Sequence, residues 1–225
     1  MTDASWAGDT EIVNNIPQPH KSQAARLIML AHPDIVDKNL VSFHTIAYGS
    51  NLLRRQCRST LHAETQSLQQ GVEEAWKVRA ALAELNGVLL KPDWQQASAT
   101  HRTSVWMTDC RSLSDHLTSP SLGKVTDKRL SIDLAALRQD LWDNGSGQEV
   151  DQLSKSCHDQ IRWIHTSVML VDCMTKAMSS TELSKAIMNC VFDLTPSPIS
   201  TDRKLKKSVQ RKALPSKQIS TVADQ

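Results

Sequence analysis

The chain is 225 residues long with a formal net charge of +2, enough to bury one substantial core and leave room for appendages. No apolar run approaches the ~20 residues of a membrane-spanning helix, and the first residues are polar and acidic where a secretory signal needs a basic start and an apolar stretch. An intracellular protein, not a secreted one, is expected. Five cysteines, an odd number with no CxxC pair, argue against a disulfide framework or a structural zinc site and point to a reducing compartment.

Residues 23–31 (QAARLIMLA) make an apolar run that stops at the turn signal His32-Pro33-Asp34, and residues 40–48 resume with Val41, Phe43, Thr45, Ile46 and Tyr48. This predicts two strands in a hairpin or meander. From Ser59 the period changes: Leu61, Leu68, Val72, Ala75 and Leu82 recur at helical spacing until Asn86-Gly87, which predicts a long amphipathic helix with a C-terminal stop. Glu64 lies one turn before Leu68, at the margin of the buried stripe. Residues 91–103 are polar and read as loop. Val105-Trp106-Met107 then forms a compact strand ending at Thr108-Asp109, with Leu113 and Leu117 on a short helix beyond it.

Thr126 or Asp127 is placed to cap a packing helix through Leu130, Leu134, Leu137 and Leu141, ending at Asn144-Gly145. Residues 161–170 alternate as a strand buried on both faces, and Asp172 follows directly. Ser179 and Glu182 have capping-box spacing for a last helix through Leu183, Ile187 and Val191. After Pro196 and Pro198 the composition turns Ser-, Lys- and Gln-rich and cannot build a core. The expected division is a domain over residues 1–192 and a disordered basic tail over 193–225. In that tail Arg203, Lys204, Lys206, Lys207, Arg211, Lys212 and Lys217 face one nearby acid, Asp202. They suit salt-sensitive contacts to a nucleic-acid backbone, or are simply solvated.

Asp3, Glu64, Asp109 and Asp172 stand in distinct phrases: TDASWAGD, CRSTLHAETQSL, VWMTDCRSL and MLVDCMTKAM. Singly, each has a plain explanation: a polar residue near a terminus, a solvated helix residue, and caps for the turns after Asp109 and Asp172. In this order, the phrases resemble the ribonuclease H domain of copia-type retrotransposon polyproteins over about residues 2–191. DASWAG is similar to the family's first-strand acid motif, RSTLHAET to its helix motif, TDCRSL to its Asp-Ser or Asp-Asn motif, and VDCMTKAM to its closing Ala-Asp-x-(Leu/Met)-Thr-Lys element.

The resemblance implies an α/β fold, a mixed five-stranded RNase H-like sheet flanked by helices. It also implies a metal-dependent endonuclease that hydrolyses the RNA strand of RNA–DNA hybrids in reverse transcription. Two Mg²⁺ ions, with Mn²⁺ as a substitute, would be held by Asp3, Glu64, Asp109 and Asp172, Asp3 bridging them. Carboxylates suit the task because Mg²⁺ takes oxygen ligands and two such ions activate a water and stabilise the leaving oxyanion. The implied partners are the hybrid and an upstream reverse-transcriptase domain, in a cytoplasmic virus-like particle or the nucleus. The alternative is a catalytically inactive RNase H-like module for nucleic-acid binding or polyprotein assembly.

The chain departs from the family at its start. Only Met1-Thr2 precede Asp3, so the first strand is expected to be clipped, Asp3 to sit at a fraying end beside a competing α-ammonium, and neighbouring strands to expose unpaired backbone. Val171 stands for the usual Ala and Cys110 for Ser or Asn. His158 and His165 lie near the last strand without spacing that selects either for catalysis. Cys110 and Cys173 read as small packed residues, not soft-metal ligands. Trp106, Trp142 and Trp163 read as core, not as base-stacking platforms.

Overall fold

A computed structural model of the protein describes residues 1–13, 16–88, 94, 102–119, 125–142 and 159–196, with side chains 7–20 excepted. Three long strands come first: β1 (Thr2–Val13), β2 (Ile16–Ala31) and β3 (Leu40–Leu52). β2 and β3 are the expected antiparallel pair, joined by a short 3-10 turn at Pro33–Val36, and β1 adds antiparallel to the other edge of β2. The long helix α1 (Thr60–Leu85) opens where the period changes, with the Ser59 hydroxyl accepting from His62 N, and closes at Gly87 with a left-handed φ of 80°.

Next come β4 (Val105–Thr108), α2 (Arg111–Thr118), α3 (Lys128–Trp142) and β5 (Gln160–Trp163). The Asp127 carboxylate accepts from Arg129 N at the head of α3. The chain ends in α4 (Asp172–Thr175), α5 (Thr181–Asn189) and β6 (Val191–Asp193). Among the described residues no helix is long and apolar enough to cross a membrane.

Six strands pair as an antiparallel sheet, in the order β1-β2-β3-β6, and a parallel pair, β4-β5, where one mixed five-stranded sheet was expected. The described residues contain no backbone ladder between β1 and β4, although the two strands touch. The expected strand over residues 161–170 is corrected: β5 ends at Trp163, where β4 ends opposite it, and His165 Nδ1 accepts from Ser167 N to turn the chain into a 3-10 segment. The last helix is corrected as well. It stops before Val191 because Cys190 takes a left-handed φ of 53°, which turns Phe192 onto Phe43 with ring centroids 6.2 Å apart. Ser179 Oγ accepts from Thr181 N, and Glu182 pairs with Lys185 instead of closing a capping box.

Two apolar clusters lie on opposite faces of the strands. One gathers Met1, Leu27, Phe43, Met107, Val171 and Phe192; the other joins α1 to α2 and α3 through Leu68, Val72, Trp106, Leu113, Leu134 and Leu137. The side of α1 that lies on the sheet is small, with Ala63, Ser67 and Gly71 buried. The Ser67 hydroxyl reaches Asp3 O at 2.7 Å, and a Cβ on Gly71 would lie 2.5 Å from Thr2 Cγ2. Gly71→Ala should therefore destabilise the domain by about 1 kcal/mol net. Overpacking costs ~1–3 kcal/mol, and the better helix propensity of Ala returns about 1 of it. Thermal unfolding checks this; an unchanged melting temperature would mean that β1 yields freely.

Asp3 does not sit at a frayed end. Thr2 pairs with Arg26 and Asp3 with Ala25, Met1 O accepts from Leu27 N, and Asp3 is 1% exposed. The α-amino group donates to Leu27 O at 3.0 Å, and burial lowers its pKa to about 5, so near neutral pH it is not a competing cation.

Candidate metal centre

Three of the expected carboxylates converge from separate elements. Asp3 comes from β1, Asp109 from the residue after β4, and Asp172 from the first residue of α4; their nearest oxygens all lie within 4.8 Å of one another. Each position has a local cause. Asp3 is held by the β1–β2 ladder, Asp109 follows the last residue of β4, and Asp172 is turned inward as Val171 packs fully buried.

Glu64 on α1 lies outside that close group, yet it is 4% exposed and the charges of Asp3 and Asp109 act on it. Ala4 N–H donates to its carboxylate, but Oε2 has no hydrogen-bond partner. A buried unpartnered acceptor costs ~1–3 kcal/mol. Among the described residues no donor meets that oxygen, and a bound cation would.

The electrostatics of the cluster are strained. Burial, then the charges of Asp3 and Asp109, pushes the Glu64 carboxyl well above the usual range. Burial raises Asp109 as well, with Asp3 adding to the rise and a Thr166 hydroxyl donating against it. Asp172 is raised to about 6, first by burial and then by Asp3, against a hydrogen bond from Lys176. Packing like charges out of water is unfavourable unless a cation joins them.

A cation the sequence reading left unassigned is already there. Lys176 Nζ lies 2.8 Å from Asp172 Oδ1 and 3.6 Å from Asp3 Oδ2. Burial works against this ammonium, but the hydrogen bond to Asp172 and the surrounding carboxylates hold it above the ordinary lysine range. Thr175 donates to Asp3 Oδ2 and to Asp172 O. Both residues belong to the quoted phrase MLVDCMTKAM, and the fold brings them to Asp3 as well.

The other candidates are placed as follows. His165 bonds locally to Ser167 and its ring lies 6.4 Å from Trp163; His158 and the basic residues Arg203, Lys204, Lys206, Lys207, Arg211 and Lys212 lie outside the described residues. Trp106 is buried and donates to Asp159, as expected for core. Trp163 is a correction: it is 38% exposed, donates to Asp109 O and lies under the Arg111 guanidinium, 5.2 Å from the ring centroid. Its place in a short parallel strand next to Asp109, not its apolar character, decides this. The four described cysteines, Cys57, Cys110, Cys173 and Cys190, are free thiols.

The residues present fit a hard divalent cation: an all-oxygen donor set, mutual repulsion among its members, and an orphaned buried acceptor beside it. Compared with family models, curated proteins and solved structures, the chain matches none of them.

Proposed function

We propose that this chain is a metal-dependent endonuclease with an RNase H-like fold that hydrolyses the RNA strand of RNA–DNA hybrids. It would act beside a reverse-transcriptase domain of the same retrotransposon polyprotein, in a cytoplasmic particle or the nucleus. One observation carries the reading: the acids of the first, third and fourth family-like phrases, far apart in sequence, meet within 4.8 Å, with the acid of the second buried behind them.

Asp3, Asp109 and Asp172 would hold Mg²⁺, with Glu64 joining through its free oxygen; bound there, the metal supplies an acidified water and positive charge for the leaving oxygen. The chain's own residues prepare the site. Thr175 fixes one oxygen of Asp3, Thr166 steadies Asp109, and Lys176 orients Asp172. Burial of Asp3 and Glu64 keeps bulk water from screening their charge. Trp163 and Arg111 offer a flat ring and a guanidinium at the Asp109 edge, suited to a sugar face and a phosphate.

Cleavage of an end-labelled RNA–DNA hybrid in Mg²⁺, with duplex DNA spared, tests the reading. No cleavage in Mg²⁺ or Mn²⁺ would leave the alternative, an inactive module that binds nucleic acid or supports polyprotein assembly. That alternative is favoured by the Lys176 ammonium, which already bridges Asp3 and Asp172. Lys176→Met should separate competition from replacement. If the ammonium only competes with the metal, the variant binds Mn²⁺ about fivefold more tightly in calorimetry, reflecting ~1 kcal/mol for a half-exposed pair. Unchanged affinity would show that the ammonium and the metal occupy different places.

A further inference from the structure

A cavity of about 430 Å³ lies between the two sheets. Its sides are β2 from Arg26 to Ala31 and residues 103–107 on and just before β4, its floor is α1 at Gly71, Ala75, Val78 and Leu82, and Met1 and Thr2 stand at one end. The backbone pattern shows what this space lacks. β2 pairs with β3 as far as Ala31, but with β1 only as far as Arg26, extended by the Leu27 bond to Met1. Leu27 points its backbone groups at β1 and His32 N points at β3, so by alternation Met29 and Ala31 point into the cavity. On the other side, Ser104 O accepts from Gln160 N on β5 and Thr108 O from Ile164 N just beyond it, which leaves Val105 and Met107 facing the same space. Among the described residues neither edge has a ladder partner here.

We propose that this slot is a strand-binding site for an extended polypeptide segment of about four residues that continues β1 ahead of Met1, antiparallel to β2 and parallel to β4. The direction follows from levels already fixed: Asp3 meets Asp109 and Met1 packs with Met107 in one cluster, so numbering rises the same way along both strands. The occupant is a continuation of β1, because Met1 is already locked to Leu27 in both directions, at 2.9 and 3.0 Å, and aims into the opening. A main-chain amide in place of the buried amine keeps the donor and removes the ionisable group. The side-chain pattern also follows. Thr2 faces α1 and Met1 faces the opposite cluster, so alternating small and larger apolar residues fill the slot. This site does not depend on the nuclease reading.

The experiment adds five residues, Thr-Val-Thr-Val-Thr, ahead of Met1 in the full chain and follows amide hydrogen exchange. Met29, Ala31, Val105 and Met107 should exchange roughly tenfold more slowly or better in the extended chain, with a raised melting temperature. The same extension with Pro at alternate positions should not protect them, since a strand paired on both sides does not hold its place once Pro breaks its ladder. Equal exchange in the chain with and without the Thr-Val extension overturns the proposal. So does protection by the same five residues added as a free peptide, or protection in the unextended chain that rises with its concentration; these would assign the slot to a separate segment or to a second copy.

Discussion

Replacing Asp109 with Asn should lower Mg²⁺-dependent cleavage of an RNA–DNA hybrid by roughly 10³-fold, with the melting temperature held or raised. A carboxylate that holds a catalytic metal supports several kcal/mol of transition-state stabilisation, and each 1.36 kcal/mol is a factor of ten. Asp109 is the most informative of the acids to change because it is the least engaged in the fold. Asp3 lies inside a ladder and accepts from Thr175, whereas Asp109 is half-buried and accepts from Thr166. Single-turnover cleavage with excess protein reads the chemical step, and circular dichroism confirms the fold. Activity within a few-fold of the parent would remove Asp109 from the site and the nuclease reading with it.

The second large effect is on stability and has the opposite sign. Glu64→Gln should stabilise the metal-free protein by about 2 kcal/mol at about pH 8, because it removes a buried charge held near Asp3 and Asp109. For a domain of this size that is about 4–8 °C in melting temperature.

The pH dependence carries the same signature. Glu64 and Asp172 have folded-state pKa values raised above their unfolded ones, so between those values the folded state binds more protons and stability falls as pH rises. For Asp172 the contribution is fully present below 3.8, is lost as the pH climbs through about 6, and is flat above that. Asp34, Asp127 and Asp193, whose pKa values are lowered by local hydrogen bonds, slope the other way. The diagnostic quantity is therefore the gap between parent and variant. Urea unfolding should show the Glu64→Gln advantage growing from acid to alkaline pH and shrinking when Mg²⁺ is added. A gap independent of pH would mean that Glu64 carries no charge strain.

The helices and the antiparallel pair of β2 and β3 were legible because burial imposes a period on sequence: Leu130, Leu134, Leu137 and Leu141 are all buried on α3, and Ser59 caps α1. The convergence of Asp3, Asp109 and Asp172 was legible only through the resemblance of whole phrases, since no spacing relates residues so distant. What escaped depends on partners. Alternation across residues 161–170 does not register that β4 offers only a four-residue edge or that His165 turns the backbone onto Ser167. Nor does periodicity show that Cys190 turns left-handed and frees Val191 for a strand. Lys176 stands one helical turn from Asp172, which suggests that ion pair; its approach to Asp3 requires the tertiary fold.

The division of the strands into four and two has a mechanical consequence for the carboxylates. Asp3 belongs to the antiparallel sheet and Asp109 directly follows a strand of the parallel pair, and between those sheets the described residues provide side-chain packing but no main-chain hydrogen bonds. The two halves can then unfold as separate cooperative units, with the carboxylates on either side of the seam. A cation seated between them would act as a clasp, so that the ion proposed for the chemistry would also fuse two unfolding events into one. Native-state exchange should show two opening free energies without Mg²⁺ and a single one with it.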